Sequence, residues 1–425
     1  MKCIIYWLIP YACLAFRLRE APVHRTIKAD IEIGSDSYYA LPSFRDELRR
    51  EVQSSNKRLL AALAAAPTKS PSNVSRGIVA YLPPNQKEYY DQLKWLYLSI
   101  GEMRNTQPAN IKTDLVIFTN PSHRDSLAAE FGCKTTIRSS FEDNEACIVL
   151  PHTPLHERNL NITEDHAALL SNYSGVIDSV LVLSEFKTDA YTYLMRTDLD
   201  SFLTPGFAPF TLPEHVVMVT GQGGYYSRNE AVRLDWIARK KLGLGYQHYE
   251  NVGSTWYGDS KVLVAAANLS VAVMQWLTTQ EFTEFESLGV SGNAAWPHWY
   301  KPVMSMYGGD IAVNQIPQGM VLRSTPGTGI GFDLGTNNER RLLGSDVQHL
   351  HVFQYAERFS KLKFADGSYK DLDVSPFANM TTVSDYATVI AISSSRMNAS
   401  DIRAYVGNQT AMRNHEWIRP LPTSR

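Results

Sequence analysis

The sequence has no excess of charge of either sign. Its 425 residues include 41 Lys or Arg and 43 Asp or Glu, so the net charge at neutral pH is −2. Proteins that attract nucleic acid through their overall field carry a basic surface or stripe. The charge balance therefore excludes general electrostatic binding to nucleic acid, and we expect no nucleic-acid partner.

The N-terminus also lacks an apolar run of full membrane-spanning length. Lys2 precedes a mostly apolar run from Cys3 to Phe16, and several basic residues follow it. A helix needs roughly 17–25 apolar residues to cross a bilayer, so this shorter run is typical of a cleaved secretory signal. We predict a signal peptide at residues 1–16. A short membrane anchor, lengthened by its flanking residues, is the alternative.

Cysteine is scarce, with four residues in the whole chain. Cys3 and Cys13 lie in the predicted targeting segment, which leaves Cys133 and Cys147 as the pair available for a disulfide. Such a bond would restrict the unfolded chain in an oxidising compartment. Two free buried thiols would look the same in the sequence, so both states stay open at this point.

Sequons for N-glycosylation agree with passage through a secretory lumen. A single sequon is close to a chance occurrence, but several of them together with an apolar N-terminus favour that compartment. The sequons begin at Asn73, Asn161, Asn172, Asn268, Asn379, Asn398 and Asn408. We therefore expect a protein of the Golgi or ER lumen, held as a type II membrane protein or free in the lumen, or a secreted protein.

Three regions follow the targeting segment. A charged helical pattern and a Pro/Ser-rich linker predict a helical stem over residues 17–75. From residue 76 to residue 355, apolar strands alternate with helical patterns, which predicts βαβ units and a catalytic α/β domain with a mainly parallel sheet flanked by helices. Residues 356–425 are polar at first and have little to bury at the end, so we predict a short C-terminal appendage.

The most informative stretch runs from Tyr191 to Pro205. Tyr191 to Met195 has the length and aromatic content of a buried strand, and Asp198 and Asp200 follow it. In an extended segment residues two apart point to the same side, so both carboxylates would face one point in space. Hard divalent cations such as Mg²⁺ or Mn²⁺ prefer carboxylate oxygens. A solvated surface turn is the alternative for an isolated Asp-x-Asp triplet.

With a strand before it and Phe202-Leu203 after it, Asp198-Leu199-Asp200 resembles the D-x-D segment of metal-dependent glycosyltransferases with the nucleotide-diphospho-sugar transferase (GT-A) fold. The resemblance spans roughly residues 76–355 in element order. It implies a Rossmann-type α/β fold and a Mn²⁺ or Mg²⁺ ion held by Asp198 and Asp200. It also implies a nucleotide-diphosphate sugar as donor and a hexosyltransferase-like reaction with a glycan or glycoprotein acceptor.

The resemblance also implies that a histidine late in the domain completes the metal site. The alternating segment from Val347 to Tyr355 places His349 and His351 on one face of a strand. Mn²⁺ accepts imidazole as well as oxygen. We expect His351 to be the ligand, because Val352-Phe353 gives it a more apolar and therefore more buried neighbourhood. The alternative is an edge strand with both histidines on the surface.

Two further residues are candidates for the site. Arg196 is expected to contribute to cofactor binding by bracing the carboxylates or the donor diphosphate, and its alternative role is a plain salt bridge. In GT-A enzymes an acidic residue at the start of a late helix contacts the acceptor or acts as base, and Asp310, after Gly308-Gly309, resembles that residue. We predict Asp310 as the catalytic residue. A helix N-cap is its alternative role.

Two other functions deserve comparison with a glycosyltransferase. A secreted carbohydrate-binding protein could keep the fold without turnover, and Asp198→Ala would separate the two, because only the transferase needs the metal to bind its donor. A sugar-nucleotide-forming cytidylyl or guanylyl transferase would need a Gly-rich basic phosphate loop, which this sequence lacks.

Overall fold

The computed structural model describes twelve ranges of the chain, and the predicted signal segment at residues 1–16 and the first part of the predicted stem lie outside them. The sequons at Asn161 and Asn172 lie outside them as well. The described ranges are residues 42–69, 71–84, 87–141, 143, 147–158, 171, 173–223, 228–282, 299–324, 329–352, 359–408 and 414–415.

A seven-stranded sheet forms the centre of the fold, in the order β3-β2-β1-β4-β7-β6-β8. Six strands run in the same direction, and β7 runs against its neighbours β4 and β6. The predicted α/β fold with a mainly parallel sheet is confirmed, and the strand before Asp198 lies in the middle of this sheet. The strands are β1 (Val74–Leu82), β2 (Ile111–Thr119), β3 (Cys147–Pro151), β4 (Tyr193–Arg196), β6 (Met218–Gln222), β7 (Val252–Asp259) and β8 (Val321–Arg323).

A second, three-stranded sheet lies beside the end of β4. It consists of β5 (Ser201–Leu203), β9 (Leu334–Gly335) and β10 (His349–His351), with β10 in the middle. β10 pairs with β5 in antiparallel fashion and with β9 in parallel fashion. This small sheet brings residues near position 350 against the segment that follows Asp198.

Helices cover both faces of the main sheet, which is why β1 and β2 are buried along almost their whole length rather than at alternate residues. The helices are α1 (Pro42–Ala64), α2 (Lys87–Arg104), α3 (Pro121–Phe131), α4 (Ser174–Ser184), α5 (Arg228–Trp236), α6 (Ser260–Gln280), α7 (Met304–Val313), α8 (Lys361–Ala365), α9 (Val383–Ser395) and α10 (Ala399–Gly407). One core lies under α1, α4, α6 and α7, and the other lies under α2, α3, α9 and α10.

Helix α6 is the central helix of the first core. The carboxylate of Asp259 caps its start by accepting hydrogen bonds from the backbone N–H groups of Lys261 and Val262. By length and composition α6 is apolar enough to cross a membrane, yet 78% of its most apolar window is buried inside the protein. Its composition is therefore that of a core helix in this fold.

Segments outside the predicted catalytic domain also pack against these cores. Phe44, Leu48, Val52 and Leu59 of α1 are buried in the first core, and the spacing of the first three is that of one helix face. At the other end of the chain, α9 belongs to the second core, where Tyr386 donates a hydrogen bond of 2.7 Å to the carbonyl oxygen of Leu203 in β5. The predicted domain boundaries stay predictions.

A disulfide joins Cys133, just after α3, to Cys147 at the start of β3. The two cysteines are 14 positions apart, with Cα atoms separated by 4.7 Å. This settles the alternative between a bridged pair and two free thiols in favour of the bridge. It ties the edge strand β3 to the helix that precedes it.

We expect Cys133→Ser combined with Cys147→Ser to lower the free energy of unfolding by about 3 kcal/mol, the chain-entropy value for a loop of this length. Urea unfolding of the double variant beside the parent measures this loss. Reduction of the parent should give the same shift and should have no effect on the variant. An equal stability of parent and variant would show that the bond constrains nothing in the unfolded chain.

Candidate metal site

The segment after β4 leaves the sheet at the carboxyl end of its parallel strands. Thr197 extends β4 by one hydrogen bond to Val79 of β1, at 3.2 Å. Leu199 then turns into the second core, where it is 4% exposed and its carbonyl oxygen accepts a hydrogen bond from Trp95 Nε1. Because Leu199 points inwards, its neighbours Asp198 and Asp200 point together to the other side, as the sequence pattern predicts.

Asp198, Asp200 and His351 form one cluster. Each offers a possible ligand atom, and these atoms lie within 4.8 Å of one another. His351 Nε2 is 3.2 Å from Asp200 Oδ1 and 3.9 Å from Asp198 Oδ2. The cluster is the arrangement expected for residues that share one cation.

Strand pairing determines which histidine reaches the carboxylates. His351 lies opposite Ser201 in the β5–β10 ladder, and the next backbone N–H, that of Val352, donates to the carbonyl oxygen of Asp200 at 2.9 Å. His349 lies opposite Leu203, further from Asp200 along β5. The structure therefore brings His351 to Asp198 and Asp200, and its role as a ligand stays a prediction.

We expected His351 to be the more buried of the two histidines, and this expectation is wrong, because His349 is more buried. His349 is fully buried, and its Nε2 shares a hydrogen bond of 2.8 Å with Thr197 Oγ1. Burial lowers the pKa of His349 to about 4, so its imidazole is neutral at physiological pH. The His351 side chain is 12% exposed, which leaves it open to a ligand.

Two cations flank the carboxylates. Arg196 Nη2 lies 2.8 Å from Asp198 Oδ1, and the same guanidinium donates to the carbonyl oxygen of Ser254 and to Ser179 Oγ. Arg196 therefore braces Asp198 against β7 and α4. Lys361, at the start of α8, places its Nζ 2.6 Å from Asp200 Oδ2. Sequence reasoning missed Lys361, because it lies in a polar stretch 161 residues from its partner.

The electrostatics of Asp200 favour the ionised carboxylate. Burial alone would raise its pKa, but the nearby charges of His351 and Lys361 outweigh burial and hold the pKa far below its usual range. The same contact with Asp200 raises the pKa of Lys361 against the effect of burial. The ammonium group of Lys361 thus already places one positive charge beside Asp200.

A third carboxylate, Asp333, lies behind His351. It is 4% exposed, and its Oδ1 is 3.5 Å from His351 Nδ1. Burial alone would raise its pKa, but the contacts with His351, His349 and Thr255 lower it to about 2. Asp333 follows the glycine-rich sequence Gly327-Thr-Gly-Ile-Gly331, and nothing in that sequence indicates a partner for a histidine.

Asp310, the predicted catalytic residue, does not belong to the cluster of Asp198, Asp200 and His351. Helix α7 begins at Met304, so Asp310 lies inside the helix and the N-cap interpretation is wrong. Its carboxylate is fully buried and accepts hydrogen bonds from Tyr246 Oη at 2.5 Å and from Asn314 Nδ2 at 3.1 Å. The contact with Tyr246 joins α7 to the loop before β7. The catalytic role of Asp310 stays a prediction.

The residues at the cluster fit a divalent cation. Two carboxylates and one imidazole suit Mn²⁺, which accepts both oxygen and nitrogen, and the two carboxylates alone suit Mg²⁺. Among the described residues, this is the one group of three or more His, Cys, Asp or Glu side chains close enough to share an ion. Asp198, Asp200 and His351 would hold the ion, with Arg196 and Asp333 beside them.

A protein-family model described as "Domain of unknown function (DUF7164)" matches residues 70–419. No curated protein matches the chain by sequence. Among solved structures, the galactosyltransferase LgtC in complex with donor and acceptor sugar analogs is 13% identical, with a TM-score of 0.35, and the match covers 68% of this chain and 94% of LgtC.

Two other solved structures are similar at the same level. The bifunctional glycosyltransferase WbbM is 9% identical with a TM-score of 0.34, over 69% of this chain and 48% of WbbM. Mouse xyloside xylosyltransferase 1 is 10% identical with a TM-score of 0.31, over 66% of this chain and 98% of the mouse protein. Identities and TM-scores this low carry no conclusion about the activity of this chain.

Proposed function

We propose that this chain is a metal-dependent glycosyltransferase. It belongs to the family described as "Domain of unknown function (DUF7164)". It transfers a sugar from a nucleotide-diphosphate donor to a hydroxyl group of a glycan or glycoprotein. The observation that carries the proposal is the cluster of Asp198, Asp200 and His351 at the carboxyl end of the central strand β4. Open α/β sheets bind their ligands at this edge.

The side chains at this edge have distinct roles in the proposed reaction. Asp198, Asp200 and His351 hold the cation, and Arg196 keeps Asp198 in place through Ser254 and Ser179. When bound, Mn²⁺ or Mg²⁺ supplies positive charge to the leaving diphosphate. Lys361, with its side chain 24% exposed, can donate to a phosphate oxygen of the donor while it remains close to Asp200.

We further propose that the protein works in the Golgi or ER lumen. The disulfide between Cys133 and Cys147 supports an oxidising compartment. The sequon residues Asn73, Asn379, Asn398 and Asn408 are exposed and so accessible to modification. Asn268 is different, because its amide donates to the carbonyl oxygens of Ser184 and Val264 and is engaged in the fold.

A screen of nucleotide-sugars tests the proposed activity. The full-length protein, expressed in a secretory host, is incubated with each nucleotide-sugar and Mn²⁺, and release of the nucleoside diphosphate is measured with and without a chelator. We expect metal-dependent hydrolysis of at least one donor. Glycan binding that persists in the chelator, without hydrolysis of any donor, would favour the carbohydrate-binding alternative and contradict a transferase.

We expect His351→Ala to weaken Mn²⁺ binding by more than the roughly 10- to 100-fold that loss of an outer-shell partner costs, because Nε2 lies among the ligand oxygens. His349→Ala should have a smaller effect on metal affinity, since His349 contacts Thr197 and Asp333 rather than Asp198 or Asp200. Calorimetric titration with Mn²⁺ measures both. If both variants bind metal and donor like the parent, neither histidine is a ligand.

A further inference from the structure

Asp333 has a backbone conformation that few residues adopt. Its φ angle is +53°, in the left-handed region that disfavours side chains other than Asn, Asp and glycine. Such strain persists only where the surroundings hold it in place, and it is often found at functional sites. In this chain, the strained residue is also a buried carboxylate.

Two glycines in the main sheet make room for this carboxylate. A Cβ atom added at Gly221 of β6 would lie 1.9 Å from Asp333 Oδ2, and one added at Gly253 of β7 would lie 2.4 Å from the same oxygen. In the gap between the two strands, Oδ2 accepts a hydrogen bond of 3.0 Å from the backbone N–H of Thr255. The carboxylate is thus held in a notch of the sheet, with one oxygen used.

The other oxygen faces both histidines of β10. Oδ1 lies 3.4 Å from His349 Nδ1 and 3.5 Å from His351 Nδ1, and no other residue in the described part of the chain donates a hydrogen bond to it. His349 Nδ1 accepts a hydrogen bond from the backbone N–H of Asp333, so the proton of His349 is on Nε2, where it faces Thr197. His349 therefore has no proton to offer Oδ1. The N–H group available to Oδ1 is that of His351 Nδ1.

We propose that Asp333 is a positioning residue for the metal site: its Oδ1 accepts the Nδ1 proton of His351, which leaves the Nε2 lone pair directed at the ion between Asp198 and Asp200. The inference rests on the metal site of the proposed function. An outer carboxylate of this kind fixes the tautomer and the ring orientation of a ligating histidine and makes the imidazole more basic. His349 supports the arrangement by holding the Asp333 backbone.

Asp333→Asn tests the proposal with the smallest change. Asn, like Asp, adopts positive φ angles more often than most residues, so the backbone should stay in place. A carboxylate accepts hydrogen bonds at both oxygens, whereas an amide can accept at one only. Whichever way the amide is oriented, it cannot accept from both Thr255 and His351, and it has no charge. We expect Mn²⁺ affinity to fall roughly 10- to 100-fold in protein that is still folded.

Asp346→Asn is the matched control. Asp346 lies between β9 and β10, near Asp333 in the sequence, but it forms an exposed ion pair with Arg341. We expect its Mn²⁺ affinity to equal that of the parent. Calorimetric titration of parent and variants gives the dissociation constants, and thermal melting reports folding separately. If Asp333→Asn lowers only the melting temperature and leaves the dissociation constant unchanged, Asp333 has a structural role and the proposal is wrong.

A second readout needs no substitution at Asp333. In the parent labelled with ¹⁵N-histidine and loaded with Zn²⁺, a diamagnetic ion that accepts imidazole as well as carboxylate, the His351 signals, assigned by their loss in His351→Asn, should show a neutral ring with its proton on Nδ1. A proton on Nε2 would overturn the inference. If the parent binds neither Mn²⁺ nor Mg²⁺, the proposed function and this inference both fall, whereas metal binding with the wrong tautomer removes this inference alone.

Discussion

Asp198→Asn and Asp200→Asn are each expected to lower Mn²⁺-dependent donor turnover by roughly 10²–10³-fold, the usual cost of removing one electrostatic contact to a transition state. Each substitution keeps the size of the side chain but removes a charge and one acceptor oxygen from the cluster. Turnover is measured as release of the nucleoside diphosphate, over a range of Mn²⁺ concentrations that shows whether excess metal restores activity.

Asp125→Asn provides the control for these variants. Asp125 is exposed, and its ion-pair partner among the described residues is its neighbour Arg124, so its loss should leave turnover and metal dependence unchanged. Full activity in Asp198→Asn with unaltered dependence on Mn²⁺ would mean that the two carboxylates do not hold the ion. Thermal melting of each variant checks that a loss of turnover is not a loss of folding.

We expect the largest effect on stability at the buried ion pair between Arg138 and Asp114, a residue of β2. Arg138 binds Asp114 with two contacts of 2.5 Å, and the two side chains are 1% and 0% exposed. Tyr191, at the start of the segment that leads to Asp198, donates a third hydrogen bond to Asp114 at 2.8 Å. Asp114→Ala would leave the guanidinium buried without a countercharge, and we expect a loss of about 3–5 kcal/mol.

Denaturant unfolding of Asp114→Ala beside Asp125→Ala measures this difference. The exposed pair of Asp125 and Arg124 should contribute less than about 1 kcal/mol. Metal affinity should be unchanged in the folded fraction of Asp114→Ala, because Asp114 makes no contact with the cluster among those described. Equal losses in the two variants would contradict the importance of burial at Asp114.

The short-range features of the site could be predicted from the sequence. A buried strand followed by Asp-Leu-Asp determines, through the period of two, that Asp198 and Asp200 face the same way while Leu199 packs inwards. The same period places His349 and His351 on one face. These inferences need only the local geometry of an extended chain, and the structure agrees with them.

Features that depend on distant pairing could not be predicted. Asp333 reaches His351 because β9, which directly follows it, pairs with β10, and Lys361 reaches Asp200 across 161 residues of sequence. The choice of His351 over His349 was likewise decided by its partner in the β5 ladder, Ser201, and not by how apolar its neighbours are. No local sequence pattern predicts the register in which β10 pairs with β5.

The N-cap interpretation of Asp310 failed for a different reason. The two glycines Gly308 and Gly309 suggested that a helix begins at Asp310, yet both glycines lie inside α7. A Cβ atom at Gly308 would lie 2.7 Å from the Met274 side chain, and one at Gly309 would lie 2.5 Å from the Trp256 ring. These glycines allow α7 to pack closely against α6 and β7, which sequence alone does not distinguish from a turn.

The central claim is that Asp198, Asp200 and His351 bind one divalent cation together with the donor diphosphate. Anomalous diffraction near the manganese absorption edge, from crystals soaked with Mn²⁺ and a nucleoside diphosphate, tests it most directly. We predict one peak within roughly 2.0–2.6 Å of both carboxylates and of His351 Nε2, with diphosphate oxygens completing the coordination. The absence of a peak there, or a peak that contacts none of these three side chains, would contradict the account.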